Sequence, residues 1–595
     1  MTSNAATAVD PITVDPITTG VVAGVLASVV REMSIVVERT ARSPVIALSH
    51  DYSNAVYRMT PHGPEMVVQG QDQPCHLGGM LNSVRVAAER FADDLRDGDV
   101  IIGNDPLLNG THLLDVDLIS PIFHGDVLVG FAVSRAHHAD IGGPVAGGYN
   151  PNAQEVYAEG IRIPPTKLVE QGQMREDVLE LILANIRMPE MLRGDFGAQL
   201  SAVRVAGRRI KDLYAKYGLD EIDAAMEELV LRSERIMRAQ VAAMPDGIYE
   251  GEQWIQEDGK GTGPQRIGAT VEVRGEEIFV TLDGPPMVQS YRNSYPFLTR
   301  GAVYFAIIGA LEPGTPINAG LYRAVHVDVG PPATMLNAVH PAACAMSTAD
   351  VWTIVFDATC DALSKLVPER AVAGWTRPSL LQVSGVDPRT NAEYGSLMLI
   401  ALLGGAGAVY GNDGGGLWGV VPTGGASQTG DVELLEVRMP LHFHTHQLAT
   451  DSACPGKWRG AMGADLEFSL VGHTGQVAHV GDGTLFPPPS RLGGGSEFDA
   501  KHRVHLKALR QPDGSVDEIR LHTIREVDAD TPIYVRLPGG GAVGNPFERD
   551  PGAVADDVRA GFVSTDRAAT EYGVAIDPNT GKVDESATTA LRNPS

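Results

Sequence analysis

GDVIIGNDPLLNGTHLLDVDLISPIFHGDVLVGFAVSRAHHADIGG, residues 98–143, decides the reading of the fold. Its apolar runs are short, and Gly, Asn, Asp and Pro punctuate them, which is a strand pattern and not a helical one. DVIIGNDP (99–106) predicts a strand ending in a polar turn, and DVDLISPIF (115–123) and DVLVGFAVSRA (126–136) predict two more. Polar residues gather at the strand ends: Asn104-Asp105-Pro106, then Thr111-His112-Leu113-Leu114-Asp115, then Arg135-Ala136-His137-His138-Ala139-Asp140. If these strands are neighbours in one sheet, their ends share a rim. His112, Asp115 and His137 then meet although up to 25 positions separate them. Imidazole and carboxylate donors together suit Mn, Fe or Zn, and an ion with an open position lowers the pKa of bound water. A His-x-x-Asp on a loop is equally a hydrogen-bonded pair, so spacing alone leaves both readings open.

Working outward, His50-Asp51-Tyr52-Ser53 follows an apolar run and offers the cluster a fourth donor, or else a turn or N-cap. VIALS (45–49), NAVYRM (54–59) and EMVVQG (65–70) predict short strands. Upstream, Val22, Val25, Leu26, Val29, Val30, Met33, Val36 and Val37 recur at three and four, which predicts a helix starting near Thr18 or Thr19. The tandem VDPIT at 9–13 and 14–18 reads as an extended lead-in. Downstream, 173–245 is strongly helical, with Pro189 and Gly218 as punctuation. After Pro245 come strands, a helix at 298–310 and another at 349–366, and from about 430 mostly strand, beginning with VELLEVRMPLHFH (432–444). There His442, His444 and His446 alternate, and on a regular strand they share one face, as a second ligand-like group or a polar interface. The expected architecture is mixed α+β and multidomain: a lead-in over 1–17, an N-terminal α/β region over 18–245 with the metal site, a central α/β region over 246–425, and a β-rich region over 426–595 with an acidic tail.

Composition narrows the partners. The 595 residues carry 47 Lys+Arg against 74 Asp+Glu, a net charge of −27, which argues against nucleic acid and anionic membrane surfaces. With 43% hydrophobic and 20% charged residues the chain is globular rather than disordered. Cys75, Cys344, Cys360 and Cys454 share no CxxC spacing, so buried thiols are expected and not a disulfide framework. The N-terminus shows no basic segment and no apolar core before Gly20, and the uncharged run 395–411 is short for a membrane helix; both point to the cytoplasm. No GxxxxGK[ST] occurs. The GxGxxG matches at Gly414-Gly416-Gly419 and Gly539-Gly541-Gly544 lack the helix that a dinucleotide fold needs, so tight loops are expected. No GxSxG elbow is present, and nucleophilic serine chemistry is not expected.

Several long motifs resemble the B-type subunits of the hydantoinase/oxoprolinase family. They are Glu38-Arg39-Thr40 with Ser43-Pro44, His50-Asp51-Tyr52-Ser53, Cys75-His76-Leu77-Gly78-Gly79-Met80, the 98–123 and 135–143 stretches, EVYAEGIRIPPTKLV (155–169), DVLELILANIRMPE (177–190), NAGLYRAVHV (318–327), DSACPGKWRGAMG (451–463) and the glycine loop and tail at 537–564. The family includes ATP-dependent hydantoinases, oxoprolinases and caprolactamase, and extends to acetone and acetophenone carboxylases. The resemblance implies an A-type partner subunit that binds ATP with Mg and phosphorylates a carbonyl or bicarbonate oxygen. It implies one divalent metal (Mn, Zn or Fe) on Asp51, His112, Asp115 and His137, with His138 as a proton-transfer group. Substrates are then lactams, hydantoins or ketones, and the assembly an (AB)2 hetero-oligomer. An ATP-dependent cyclic-amide hydrolase is the first expectation; a ketone carboxylase and a non-catalytic assembly subunit are the alternatives. Leu114 stands where many family members have Pro, and Cys454-Pro455 replaces two small residues; the His and Asp of the loop are retained.

Overall fold

The computed structural model describes residues 15–593 apart from 71, 110, 418, 426, 496, 498–500, 502 and 578–579. The lead-in expected over 1–17 lies outside the described residues as far as Val14. From there Asp15 caps the first helix through its carboxylate and Pro16 occupies its first turn.

The three strands of the opening stretch lie in one seven-stranded antiparallel sheet. Its strands are β1 (Tyr52–Thr60), β2 (Gly63–Gln69), β3 (Val100–Gly103), β4 (Asp115–His124), β5 (Val127–His137), β6 (Thr166–Glu170) and β7 (Gln173–Met174), in the order β2-β1-β5-β4-β3-β6-β7. Both faces are covered, which is why β4 and β5 are buried almost throughout. On one face Val56, Val116, Leu118, Ala132 and Ala136 pack with α1 (Pro16–Thr40) and a long helix further on. On the other, Ala55, Tyr57, Ile119, Phe131 and Val133 meet Met80, Val84 and Ala87 of a helix beneath the sheet. Strand alternation thus sorts odd and even positions of β4 and β5 to opposite helices.

VIALS, expected as a strand, is instead the short helix α2 (Pro44–Ala47): Pro44 presets the helical φ at its first position. His50 then turns the chain into β1 at φ +57°. Next come α3 (Leu77–Arg90), the helix beneath the sheet, and α4 (Pro106–Asn109). The helical 173–245 stretch becomes α5 (Glu176–Leu183), α6 (Pro189–Tyr217) and α7 (Leu219–Ala242), broken at Gly218 with φ +88°. By length and composition α1 is apolar enough to cross a membrane, yet Val22, Leu26, Val29, Met33 and Val37 are buried in the core it shares with α6.

The central sheet runs β11-β10-β9-β8, from β8 (Gly247–Ile255), β9 (Gln265–Arg274), β10 (Glu277–Asp283) and β11 (Val325–Asp328). It packs with α8 (Pro296–Ala310) and α10 (Trp352–Leu366), close to the two helices expected; α9 (Ala319–Tyr322) lies between them in sequence. Two further sheets face each other. One is β13-β12-β16-β19, from β12 (Ser379–Asp387), β13 (Ala392–Leu397), β16 (Gly475–Gly481) and β19 (Thr523–Val527), so strands from both sides of residue 425 share it. The other is β14-β15-β20-β17-β18, from β14 (Leu441–Ala449), β15 (Gly463–Leu470), β17 (Leu506–Arg510), β18 (Val516–Glu518) and β20 (Ile533–Leu537). Leu381, Val383 and Val477 of the first meet Leu466, Phe468 and Val535 of the second. The acidic tail supplies α12 (Pro551–Arg559), α13 (Thr565–Tyr572) and α14 (Glu585–Arg592).

Two expectations in this region change. VELLEV is a helix, α11 (Val432–Arg438), capped by the Asp431 carboxylate; the strand starts only after Pro440. The histidines of β14 do not share one face, because a bulge at His444 shifts the register: Phe443 opposes Phe468, but Thr445 opposes Glu467 and His446 opposes Leu466. The glycine clusters are close backbone contacts, as expected of tight loops. A Cβ on Gly540 would fall 1.9 Å from the Ala406 carbonyl oxygen, and one on Gly460 1.9 Å from that of Gly540. All four cysteines are free and buried.

Candidate metal centre

Strands β1, β5 and β4 are adjacent, so the start of β4, the end of β5 and the residue before β1 lie at one rim. Asp115 directly opposes His137 across the β4–β5 ladder. The His137 amide donates to the Asp51 carbonyl at 3.0 Å, and the Asp115 amide to the His112 carbonyl at 3.1 Å. These backbone bonds carry four side chains to one place. His112 Nε2 lies 3.0 Å from Asp115 Oδ1, His137 Nδ1 3.2 Å from the same oxygen, and the two nitrogens 3.2 Å from each other. Asp51 Oδ2 stands 4.0 Å from His137 Nδ1. His112, Asp115 and His137 form a group able to hold a metal ion.

The donor set fits a divalent ion. Two donors bound at ~2.1 Å in tetrahedral geometry lie roughly 3.4 Å apart, close to the spacings here. Asp115 is 0% exposed, and its Oδ2 accepts no hydrogen bond from the described residues. A buried carboxylate oxygen without a donor is costly unless a cation lies nearby. Of the four side chains Asp51 is the one solvent reaches, at 18%. Burial raises Asp51 to about 6 against the pull of His137. Burial also works to raise Asp115, but the adjoining His112 and His76 rings favour its anion and hold it well below the carboxylate range. Tyr149 closes one wall, its ring stacked 6.0 Å from His137 and edge-on to His112 at 5.8 Å.

A supporting layer fixes the tautomer of His112. Its Nδ1 donates to the Ala345 carbonyl at 2.7 Å, so Nε2 presents its lone pair to the cluster. The loop bearing that carbonyl is itself held: the Cys344 and Ala345 amides both donate to Glu159, at 2.8 and 2.7 Å. Glu159→Gln replaces one acceptor oxygen with an amide that faces an N–H. We expect the loop to shift and metal affinity to fall about 10–100-fold, the usual cost of losing an outer partner. Chelator competition on the purified variant measures this; unchanged affinity would show that Glu159 does not support His112.

The other histidines that the sequence singles out lie elsewhere. Alternation puts His138 on the α6 face, away from the His137 side chain. There its Nε2 donates to Gln199 Oε1 at 3.1 Å, and its ring meets Phe196 edge-on at 5.0 Å. Gln199 in turn donates to the Val116 and Ser134 carbonyls, tying α6 to β4 and β5. His442 and His444 sit on exposed β14, beside Glu436 and Ser469. The sequence pattern marks no role for His76, whose Nε2 is 3.5 Å from Asp115 Oδ2 and 3.7 Å from Asp51 Oδ1. No spacing marks it; its one signal was membership of the Cys75-His76-Leu77 motif. Equally unmarked was Arg135, fully buried and bidentate on Asp117 (Nε–Oδ1 2.6 Å, Nη2–Oδ2 2.7 Å), which also donates to Ser83 and to the His76 carbonyl.

Comparison with known proteins places this geometry in context. The model of the family described as hydantoinase B/oxoprolinase matches residues 15–546. The beta subunit of the caprolactamase of Pseudomonas jessenii is 41% identical, over 98% of this chain and 99% of that protein. The crystal structure of the ATP-dependent caprolactamase from that organism superposes with a TM-score of 0.91 at 39% identity, covering 98% of this chain and all of the matched one (100%). The B chain of a putative D-/L-hydantoinase of Pseudomonas sp. (strain NS671) is 31% identical, over 97% of this chain and 98% of that one. A nucleotide-free acetone carboxylase structure shares the fold, with a TM-score of 0.87 at 18% identity over 97% of this chain and 82% of the other.

Proposed function

Because the chain belongs to the hydantoinase B/oxoprolinase family, we propose that it is the metal-binding subunit of an ATP-dependent cyclic-amide hydrolase. It completes hydrolysis of a carbonyl that an A-type partner has phosphorylated. The carrying observation is the buried His112–Asp115–His137 cluster with Asp51 at its solvent side, in a chain 41% identical to a caprolactamase beta subunit. A divalent ion bound there, Mn, Zn or Fe, supplies Lewis-acid polarisation and a water of lowered pKa. The protein's own part is orientation and exclusion of solvent. His112 and His137 turn ring nitrogens inward, Asp115 stays ionised between them, and Tyr149 walls off one side. His138 is a positioning residue in this reading, not a proton-transfer group, since its ring faces Gln199.

The division of labour follows from amide chemistry. Resonance makes a lactam carbonyl a poor electrophile, and phosphorylation of its oxygen removes that resonance. The sequence holds no phosphate-cradling loop of standard form, so ATP and Mg belong to the A-type partner in a cytoplasmic hetero-oligomer, with (AB)2 as the expected stoichiometry. The isolated chain is therefore expected to hydrolyse no ATP; phosphate release from the purified polypeptide measures this, and sustained turnover would refute the assignment. Co-expression with the partner should give ATP-dependent ring opening on a panel of lactams, hydantoins and 5-oxoproline. Bicarbonate-dependent carboxylation of a ketone, without ring opening, would move the chain to the carboxylase branch. The 41% identity to the caprolactamase chain favours the hydrolase, whereas the acetone carboxylase likeness, at 18% identity, is one of fold.

A further inference from the structure

The guanidinium of Arg292 joins three regions of the chain. Nε donates to Asp350 Oδ2 at 2.7 Å, Nη1 to the Glu257 carbonyl at 2.7 Å and Nη2 to Asp482 Oδ2 at 2.8 Å. Asp350 lies in the helical turn Ser347–Val351 that leads into α10, Glu257 in the loop after β8, and Asp482 directly after β16. Asp482 also accepts from Arg377 Nη1 at 3.2 Å and from the Gln256 and Gly483 amides at 2.9 and 2.7 Å. Arg292, Asp350 and Asp482 are each 0% exposed, so neither carboxylate can trade the guanidinium for solvent. The residues on either side of Arg292 form the bed of the loop that holds His112. The Met346 amide donates to the Tyr291 carbonyl at 3.2 Å, and Asn293 Nδ2 donates to the Ala343 carbonyl at 3.0 Å. Between these two contacts stands Ala345, whose carbonyl accepts from His112 Nδ1 at 2.7 Å. Thr348 Oγ1, in the same turn as Asp350, is 3.5 Å from that nitrogen. Glu159 thus secures the start of the loop and Arg292 its end. An imidazole that donates to a carbonyl is oriented only as firmly as that carbonyl is held.

We propose that Arg292 is a positioning residue of the metal centre, acting on His112 through Asp350 and the 343–350 loop, and that Asp482 thereby ties the centre to the facing sheets of the C-terminal region. This role rests on the metal-centre reading above and extends it. It adds no ligand. The guanidinium fixes where the Ala345 carbonyl stands, and that carbonyl sets the ring angle and tautomer of His112. Linkage makes the coupling reciprocal: Asp482 is held more firmly when His112 carries its ion, by the same factor by which the anchor at Asp482 improves the affinity for that ion.

The test uses the complex of the full chain with its partner, stripped with chelator and titrated with Mn2+ in chelator competition. Asp482→Asn turns an amide toward the donors that surround Asp482, and the affinity for Mn2+ should fall about 3–30-fold, the range for a change along a coupling network. Arg549→Met is the control. It breaks buried ion pairs with Asp413 and Asp557, at 2.7 and 2.9 Å, which Arg292 does not join. Its melting temperature should fall while its affinity for Mn2+ stays that of the wild type. Unchanged affinity in Asp482→Asn overturns the proposal and leaves the proposed function standing. An equal loss in Arg549→Met also overturns it, since the effect is then general destabilisation. Should Asp482→Asn not fold, hydrogen exchange in the wild-type complex decides. Mn2+ loading should raise protection at the Gln256 and Gly483 amides, which donate to Asp482, as well as at Ala345 and Met346; unchanged exchange at Gln256 and Gly483 overturns the link. A wild-type complex that binds no Mn2+ overturns the metal-centre reading and this role with it.

Discussion

His112→Ala and His137→Ala are each expected to lower substrate-dependent turnover of the partner complex by roughly 10^3-fold. Metal-ion catalysis supplies several kcal/mol of transition-state stabilisation; taken as about 4 kcal/mol, its loss corresponds to ~10^3 in rate. Each imidazole lies within 3.2 Å of Asp115 Oδ1 and within 3.2 Å of the other. Removing either takes a neutral donor away and leaves both carboxylates. Metal content should fall with activity, while circular dichroism and co-purification with the partner stay as in the wild type, since the sheet itself is untouched. Undiminished metal per chain in His112→Ala would refute the ligand assignment. His442, His444 and His446 would then be the next histidines to examine, although the bulge in β14 divides them between faces.

Arg135→Met should cost about 3–5 kcal/mol, the usual range for removing one partner of a buried ion pair. Arg135 and Asp117 are both 0% exposed, so the variant leaves a buried carboxylate uncompensated. The same guanidinium donates to Ser83 on α3 and to the carbonyl of His76, so the floor beneath the site loosens as well. Hydrogen exchange reads the effect: amides of β4 and β5 should lose protection by at least about 10^2-fold, the equivalent of ~3 kcal/mol. The double variant Arg135→Met/Asp117→Leu should recover most of the loss, because replacing both charges by apolar groups of similar size is often neutral. A single variant as protected as the wild type would show that the pair contributes nothing.

Much of this centre was legible in the chain. Apolar runs broken at Asn104, His112 and Asp140 marked strand ends, and His112 with Asp115 is a local spacing that a turn alone brings together. The family was legible too, in motifs long enough to be specific. Register was not. At the β4–β5 hairpin His124 opposes Val127 and Phe123 opposes Leu128, but Ile122 opposes Gly130, so Val129 is a bulge. Continued without it, that ladder would set Asp115 against Ala136 and leave His137 on the opposite face of the sheet. One extra residue in β5 thus assembles the site, and one extra residue in β14 parts His446 from His442 and His444 in the second candidate row. His76 enters from the start of α3, from a different stretch of chain, with no periodicity linking it to Asp115. The sequence by itself determined the chemical types present and which strands end beside them, since these depend on local pattern. Only the tertiary structure decided which side chains face one another, because strand parity turns on single-residue bulges and on a helix docked from elsewhere in the chain.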